Sequence, residues 1–225
     1  MSVTRIYLVR HAEAEGNISR RFHGQYDSNI TENGERQLKL LSKRFETIDI
    51  DAAYSSDLKR AYKTAVAAVG DKGIEVIKKK GLREIDGGDW ENRDFREIAD
   101  KYADVYRNFV EAQHLLRLPG GESALELQTR IKDTIFDIVK ENPNKAVCVA
   151  SHGMAIKTFL CYVKGVHLKD MRTIMWCDNT AINAMDFSES GDVTFVWEND
   201  STHLTDDVAT IVKQKWWQDE KASVK

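Results

Sequence analysis

The chain has 225 residues, 42% hydrophobic and 31% charged, which is enough apolar material for one substantial core without a second domain. A formal charge of −3 and a pI near 6.1 exclude general electrostatic attraction to nucleic acid or to an acidic membrane, so any anion site must be local. Cys148, Cys161 and Cys177 are odd in number and unpaired in spacing, and no segment approaches the roughly 20 apolar residues of a membrane span, so a cytoplasmic protein without disulfides is expected.

Ile6, Leu8 and Val9 read as a buried strand that stops on Arg10 and His11, where a parallel strand empties into a loop at the carboxyl edge of a sheet. Residues 13–33 lack periodicity and predict a long loop. Thr31 then opens a helix carrying Leu38, Leu41 and Phe45. Ala52 to Ser55 is a second strand, and Ser55-Ser56-Asp57 offers caps for a helix from Leu58 to Val69 with a stripe of Leu58, Tyr62, Ala65, Val66 and Val69. Ile74 to Ile77 is a third strand, followed by a glycine-containing loop, Leu82 to Trp90.

The segment from Glu91 to Leu118 has helical character and ends at Pro119-Gly120-Gly121. Glu122-Ser123 opens a long amphipathic helix marked by Leu125, Leu127, Ile131, Ile135, Ile138 and Val139. Two helical pieces between strands suggest an inserted cap, approximately 90–122. Lys145 to Ala150 is the clearest buried strand and ends on Ser151-His152-Gly153 before a helix from Met154 to Val163. A hairpin at 181–187 and 193–197 and a final amphipathic helix through Val208, Ile211, Val212 and Trp216 complete the reading. The expected fold is α/β, a three-layer sandwich with a mostly parallel central sheet, helices on both faces and a helical cap insertion in one domain of residues 1–225.

Arg10-His11, Arg60, Glu84 and Ser151-His152-Gly153 each follow a strand. In an open parallel sheet such loops meet above one edge, so two arginines, two histidines and a carboxylate share one pocket. That composition suits a phosphoryl group, because arginines match its oxygens in bidentate geometry and histidine donors stabilise its spreading charge.

These motifs resemble the histidine phosphatase superfamily, also called phosphoglycerate mutase-like, over nearly the whole chain. Its Arg-His-Gly-Glu signature stands as Arg10-His11-Ala12-Glu13 with Asn17 after it, and its Ser-Asp-Leu-x-Arg-Ala-x-x-Thr-Ala helix start as Ser56 to Ala65. Its Glu, Gly and Trp-Glu loop fits Glu84, Gly88, Trp90 and Glu91. The Gly-Glu-Ser stretch fits Gly121-Glu122-Ser123, and the second His before Gly fits His152-Gly153. The resemblance implies that His11 attacks phosphorus to give a phosphohistidine while Arg10, Arg60 and His152 hold the phosphoryl oxygens. Glu84 would protonate the leaving oxygen and later take a proton from water, a cycle that needs its pKa raised toward working pH. Asn17 would donate to the phosphoryl group, and the backbone of His23-Gly24 would approach it. No metal and no cofactor is implied, nor is a metal-ligand spacing evident.

Three positions depart from the pattern. Ala12 replaces Gly, Gly87 stands where Phe is common, and Asn92 replaces the Gly that follows Trp-Glu. The mutase branch carries Glu-Arg-His-Tyr-Gly at the acid, whereas this chain reads Glu84-Ile85-Asp86-Gly87-Gly88 and keeps the Gly-x-Trp-Glu pattern of phosphatases. The expectation is a phosphomonoester hydrolase acting on a small phosphorylated metabolite. The alternatives are a cofactor-dependent phosphoglycerate mutase and, in another class, a catalytically silent phospholigand-binding or scaffold protein. Substrate choice is expected between Trp90 and Leu118, among Tyr102, Tyr106, Phe109, Arg93, Arg96, Arg107 and Arg117. Trp216-Trp217 could mark a homodimer surface, and His114, His167 and His203 read as surface or packing residues.

Overall fold

The computed structural model describes residues 3–213. In chain order it contains β1 (Val3–Arg10), α1 (Glu15–Ile18), α2 (Glu32–Phe45), β2 (Ala52–Ser55), α3 (Lys59–Val69), β3 (Val76–Lys78), α4 (Phe95–Lys101) and α5 (Ala103–Glu111). Then come α6 (Ala124–Glu141), β4 (Ala146–Ser151), α7 (Gly153–Val163), β5 (Ile182–Ser188), β6 (Val193–Asp200) and α8 (Thr210–Lys213). The strands form one mixed sheet in the order β3-β2-β4-β1-β5-β6. β3, β2, β4 and β1 run parallel, while β5 pairs antiparallel with β1 and with β6.

Side-chain alternation along β1 and β4 builds the layers. Ile6, Leu8, Val147 and Val149 point into a core shared with α6 and α7, whereas Tyr7, Val9 and Cys148 meet Leu41 and Phe45 of α2 and Ala68 and Val69 of α3. Each face of the sheet is thereby covered. Leu127, Ile131, Ile135 and Ile138 of α6 are wholly buried, and each contributes about 1.5–3 kcal/mol on leaving water. Ser123 and Glu126 cap this helix reciprocally, as its sequence predicts. Leu125, by contrast, is 60% exposed and stands outside the core stripe.

Three local expectations are corrected. The 13–33 stretch is not structureless, since it holds α1 and an antiparallel bridge between Ala14 and Ile30. Ser55-Ser56-Asp57 does not supply the cap of α3, whose N-cap position is Leu58 with no side-chain cap bond. Instead Asp27 reaches in from the loop and accepts the Lys59 N–H at 2.7 Å, placing a carboxylate at the positive end of the helix. Asp57 is occupied by a bidentate pair with Arg83. The α3 stripe is shifted as well, because Ala61, Thr64, Ala65, Ala68 and Val69 are buried while Val66 is 46% exposed. Among the described residues no helix is long and apolar enough to cross a membrane. Trp216 and Trp217 lie outside the described residues.

Candidate active site

The carboxyl ends of β1, β2 and β4 share one edge. Backbone bonds tie them together there, from His11 N–H to the Ser151 oxygen at 2.9 Å and from Ser56 N–H to the Ala150 oxygen at 3.0 Å. Ser151 Oγ donates to the Leu82 carbonyl at 2.8 Å and so draws in the loop that carries Glu84. The His11 and His152 rings, far apart in sequence, stand 5.1 Å apart between centroids.

His11 is almost wholly buried, and its Nδ1 lies 2.7 Å from the Ala12 carbonyl oxygen. A carbonyl only accepts, so Nδ1 carries the proton and Nε2 keeps a lone pair. Burial, then the charges of Arg60 and Arg10, hold the His11 pKa well below its ordinary value. The ring is thereby held neutral, with Nε2 free to accept. His152 is completely buried, neither of its ring nitrogens has a partner among the described residues, and burial followed by Arg60 and His11 lowers its pKa strongly too.

Arg10 and Arg60 are the charges of the pocket. Arg10 donates Nη1 to the Cys177 carbonyl at 2.6 Å, and its buried Nε has no partner. Arg60 donates Nη1 to Tyr26 and Nη2 to Gly24 carbonyls at 2.8 and 2.6 Å, and burial pulls its pKa down to about 10. Among the described residues neither guanidinium is within salt-bridge distance of a carboxylate. Two buried cations without a counter-ion are the electrostatic half of an anion site.

Glu84 caps α7 from outside. Its Oε2 accepts the Met154 N–H at 2.9 Å, while Oε1 accepts the N–H groups of Ala155 and Ile85 at 3.0 and 2.9 Å. The neighbouring carboxylates are used otherwise: Glu91 clamps the N–H groups of Gln25, Tyr26 and Gly87, and Asp86 accepts from Gly88. Arg130 of α6 holds the Glu84 loop by donating to the Gly81, Arg83 and Glu84 carbonyls, and it pairs in bidentate fashion with Glu122.

Most of these groups open into one cleft, but His152 is fully buried behind it and does not line it. Arg10, His11, Asn17, Arg60, Glu84 and Gly153 form its polar floor, and His23 joins them. Asn17 Oδ1 accepts the Ala14 N–H at 2.9 Å, which fixes the orientation of the amide. His23 packs on the Tyr26 ring at 4.9 Å. Gly24 does not line the cleft. A Cβ there would come within 2.3 Å of the Ile85 carbonyl oxygen, so this glycine permits loop-to-loop contact and serves the site through its carbonyl bond to Arg60. At Gly153 a Cβ would meet the Trp176 ring at 2.9 Å and Arg10 Nε at 3.3 Å.

The departures from the motif have local explanations. Asn92 has φ +57°, the left-handed conformation that glycine adopts without strain and asparagine tolerates best among other residues. Around Gly87 the Phe22 ring stands 2.6 Å from where a Cβ would lie, so an aromatic ring from another loop occupies that space. Ala12 is fully buried and its N–H donates to Thr64 Oγ1 at 2.9 Å, an arrangement that the added methyl does not disturb.

A model of the histidine phosphatase superfamily (branch 1) matches residues 6–200. The chain belongs to that superfamily. Phosphoserine phosphatase 1 of Hydrogenobacter thermophilus is 34% identical over 85% of this chain and 90% of its own. The Enterobacter sp. protein named probable phosphoglycerate mutase GpmB is 31% identical over 88% and 94%. Bacillus stearothermophilus YhfR superimposes with a TM-score of 0.86 at 30% identity, over 89% of this chain and 98% of that one.

Several residues of this superfamily site escaped the sequence reading. Trp176 lines the cleft, Cys177 receives Arg10, and Asn179 Nδ2 donates to the His11 carbonyl at 2.7 Å. Asp178 accepts the N–H groups of Asn179, Thr210 and Ile211, and Thr180 donates its N–H to the Arg10 carbonyl from a left-handed backbone at φ +64°. His203 is not merely a surface residue, since its Nε2 meets Thr180 Oγ1 at 3.1 Å. The Asp178-Asn179 pair was the available signal, since such residues bond local backbone in turns.

Proposed function

We propose that this histidine phosphatase hydrolyses a small phosphorylated metabolite through a phosphohistidine at His11, with the segment of about 90–122 acting as the cap that selects the alcohol. The observation that carries the reading is the neutral, Nδ1-protonated His11 beside two buried arginines that no described carboxylate approaches within salt-bridge distance. Nε2 attacks phosphorus in line, forming P–N as the P–O bond to the alcohol breaks. Glu84 passes a proton to the departing oxygen. As carboxylate it then takes one from water, whose oxygen attacks phosphorus and releases phosphate and neutral His11. Arg10, Arg60 and His152 hold the equatorial oxygens, with Asn17 beside them.

Hydrolysis is favoured over mutase chemistry by what surrounds the floor. Phe22, Phe95, Phe109, Met154 and Trp176 line the cleft, and three of the four cap arginines are spent on surface pairs, Arg93 with Glu97, Arg107 with Asp104 and Arg117 with Glu126, while Arg96 does not line the cleft. Beyond the arginines of the floor, Arg21 is, among the described residues, the single arginine of that lining that a second phosphoryl group would meet. The complete set of reacting groups likewise argues against a silent binding protein. The three cysteines are buried free thiols, as suits a reducing compartment, and we place the enzyme in the cytoplasm.

The test is a panel of phosphomonoesters together with rapid-quench labelling. Phosphate release and acid-labile phosphate on the wild-type protein, both lost in His11→Ala, are expected. Phosphoglycerate interconversion with a bisphosphate primer and no release from the panel would overturn the hydrolase reading.

A further inference from the structure

The alcohol side of the cleft has a composition of its own. Phe22, Phe95 and Phe109 line it as one cluster, with centroids 5.9 to 6.1 Å apart. The cluster is rooted on fully buried Trp90, which lies 5.5 Å from Phe22 and 5.8 Å from Phe109. Trp176 lines the same cleft from the segment after α7. These rings are fixed by their own packing, so a flat apolar group meets a wall that needs no ordering on binding.

Arg21 stands in the same lining and is exposed. Its Nε donates to Asn92 Oδ1 at 2.9 Å, and its backbone forms an antiparallel bridge with Asp94. The Asp94 carboxylate is engaged at the start of α4, where it accepts the Arg96 N–H. Among the described residues no carboxylate is within salt-bridge distance of Arg21, in contrast to the paired cap arginines. A guanidinium steadied by a neutral amide and lacking an anion is completed by an anionic ligand.

We infer that the alcohol half of the substrate is a flat apolar group, aryl or aryl-like, that carries its own carboxylate or comparable anion, with the ring on the aromatic wall and the anion on Arg21. This deepens the phosphatase reading and rests on it. A small hydroxy acid leaves the aromatic wall uncovered, and a neutral aryl alcohol leaves Arg21 without its anion.

The full chain is assayed with 4-carboxyphenyl phosphate, its neutral isostere 4-carbamoylphenyl phosphate and O-phosphoserine, using wild type, Arg21→Met and Asn92→Gly. Asn92→Gly keeps the left-handed backbone and removes the amide that steadies Arg21 and also acts on His23. Wild type is expected to favour the carboxylate over the carbamoyl ester by about fivefold in kcat/KM, a ratio that shrinks with added salt. Arg21→Met lowers that ratio about fivefold and Asn92→Gly lowers it part of the way; the intrinsic leaving-group difference cancels in this comparison between enzymes. O-phosphoserine is expected to be poorer than the carboxyphenyl ester by about tenfold or more. The same ratio in Arg21→Met as in wild type, or a preference for O-phosphoserine, overturns the inference while phosphatase activity stands. No release from any ester, with no phosphate on His11, removes both readings together.

Discussion

Replacing Arg130 by methionine tests whether Glu84 is aimed by its loop rather than by its own side chain. Methionine keeps much of the stem's apolar volume but removes donors to the Gly81, Arg83 and Glu84 carbonyls and both bonds to Glu122. Hydrogen bonds from a charged donor are worth about 1.5 kcal/mol each at the low end, so three sum to roughly 4.5 kcal/mol. The Arg130 side chain is 23% exposed and water reaches the freed carbonyls, which halves the figure to about 2 kcal/mol. The Glu122 pair adds about 1 kcal/mol, because Glu122 keeps the Asp86 N–H as a partner. A loss of about 3 kcal/mol lowers Tm by roughly 6–12 °C in a chain of this size. Thermal unfolding by circular dichroism measures it. Steady-state rates on an alkyl phosphate should fall about 10- to 100-fold as Glu84 loses its aim. A Tm within 2 °C of wild type (about a tenth of a domain's usual stability) with kcat unchanged would refute the reasoning.

Other consequences can be checked separately. Glu84→Gln should slow alkyl phosphates by about 10²- to 10⁴-fold and 4-nitrophenyl phosphate much less, because a good leaving group needs little protonation; equal losses on both would remove Glu84 as the acid. Nitrogen-15 spectra near pH 6 should find His11 neutral with its proton on Nδ1, as burial, Arg60 and Arg10 require, and a cationic ring there contradicts the nucleophile assignment. His203 is lowered to about 4 by burial, so the unfolded chain takes up this proton first as pH falls. Its contribution is complete above the unfolded value of 6.5 and is lost toward 4, amounting to about 1–2 kcal/mol by pH 5. Urea midpoints at pH 7 and pH 5 should therefore separate less in His203→Gln than in wild type, and an unchanged separation would exclude His203 as a source of acid sensitivity.

The sheet, α6 and the gathering of Arg10, His11, Arg60 and Glu84 at one cleft were legible because hydrophobic alternation and unusual side-chain chemistry are both written in residue types. Arg10, His11, Arg60 and Glu84 each carry chemistry that a strand loop rarely holds by accident. The segment from Trp176 to Thr180 works differently. Cys177 contributes a carbonyl, which every residue possesses, and Thr180 adopts a left-handed backbone against its β-branched preference. Neither act leaves a mark in composition or periodicity. Asp27 closes α3 from 32 positions away and Arg130 reads as part of a polar helix face, so tertiary placement alone assigns them.

The register of β1 against β4 has a consequence for how this chain tolerates change in length. Arg10 pairs with Ser151, so His11 and His152 each stand one step beyond paired residues, and their 5.1 Å ring separation matches the strand spacing of about 4.8 Å. The gap between the two imidazoles is thus set by backbone geometry common to any parallel ladder, and the identity of the packed core hardly enters it. A one-residue deletion within Ala146–Ser151 would turn His152 to the opposite face even if every apolar position were refilled. Residues added to the surface turns around α4 and α5 leave that ladder untouched, so the wall of the cleft tolerates a change in length that the two strands beneath it do not.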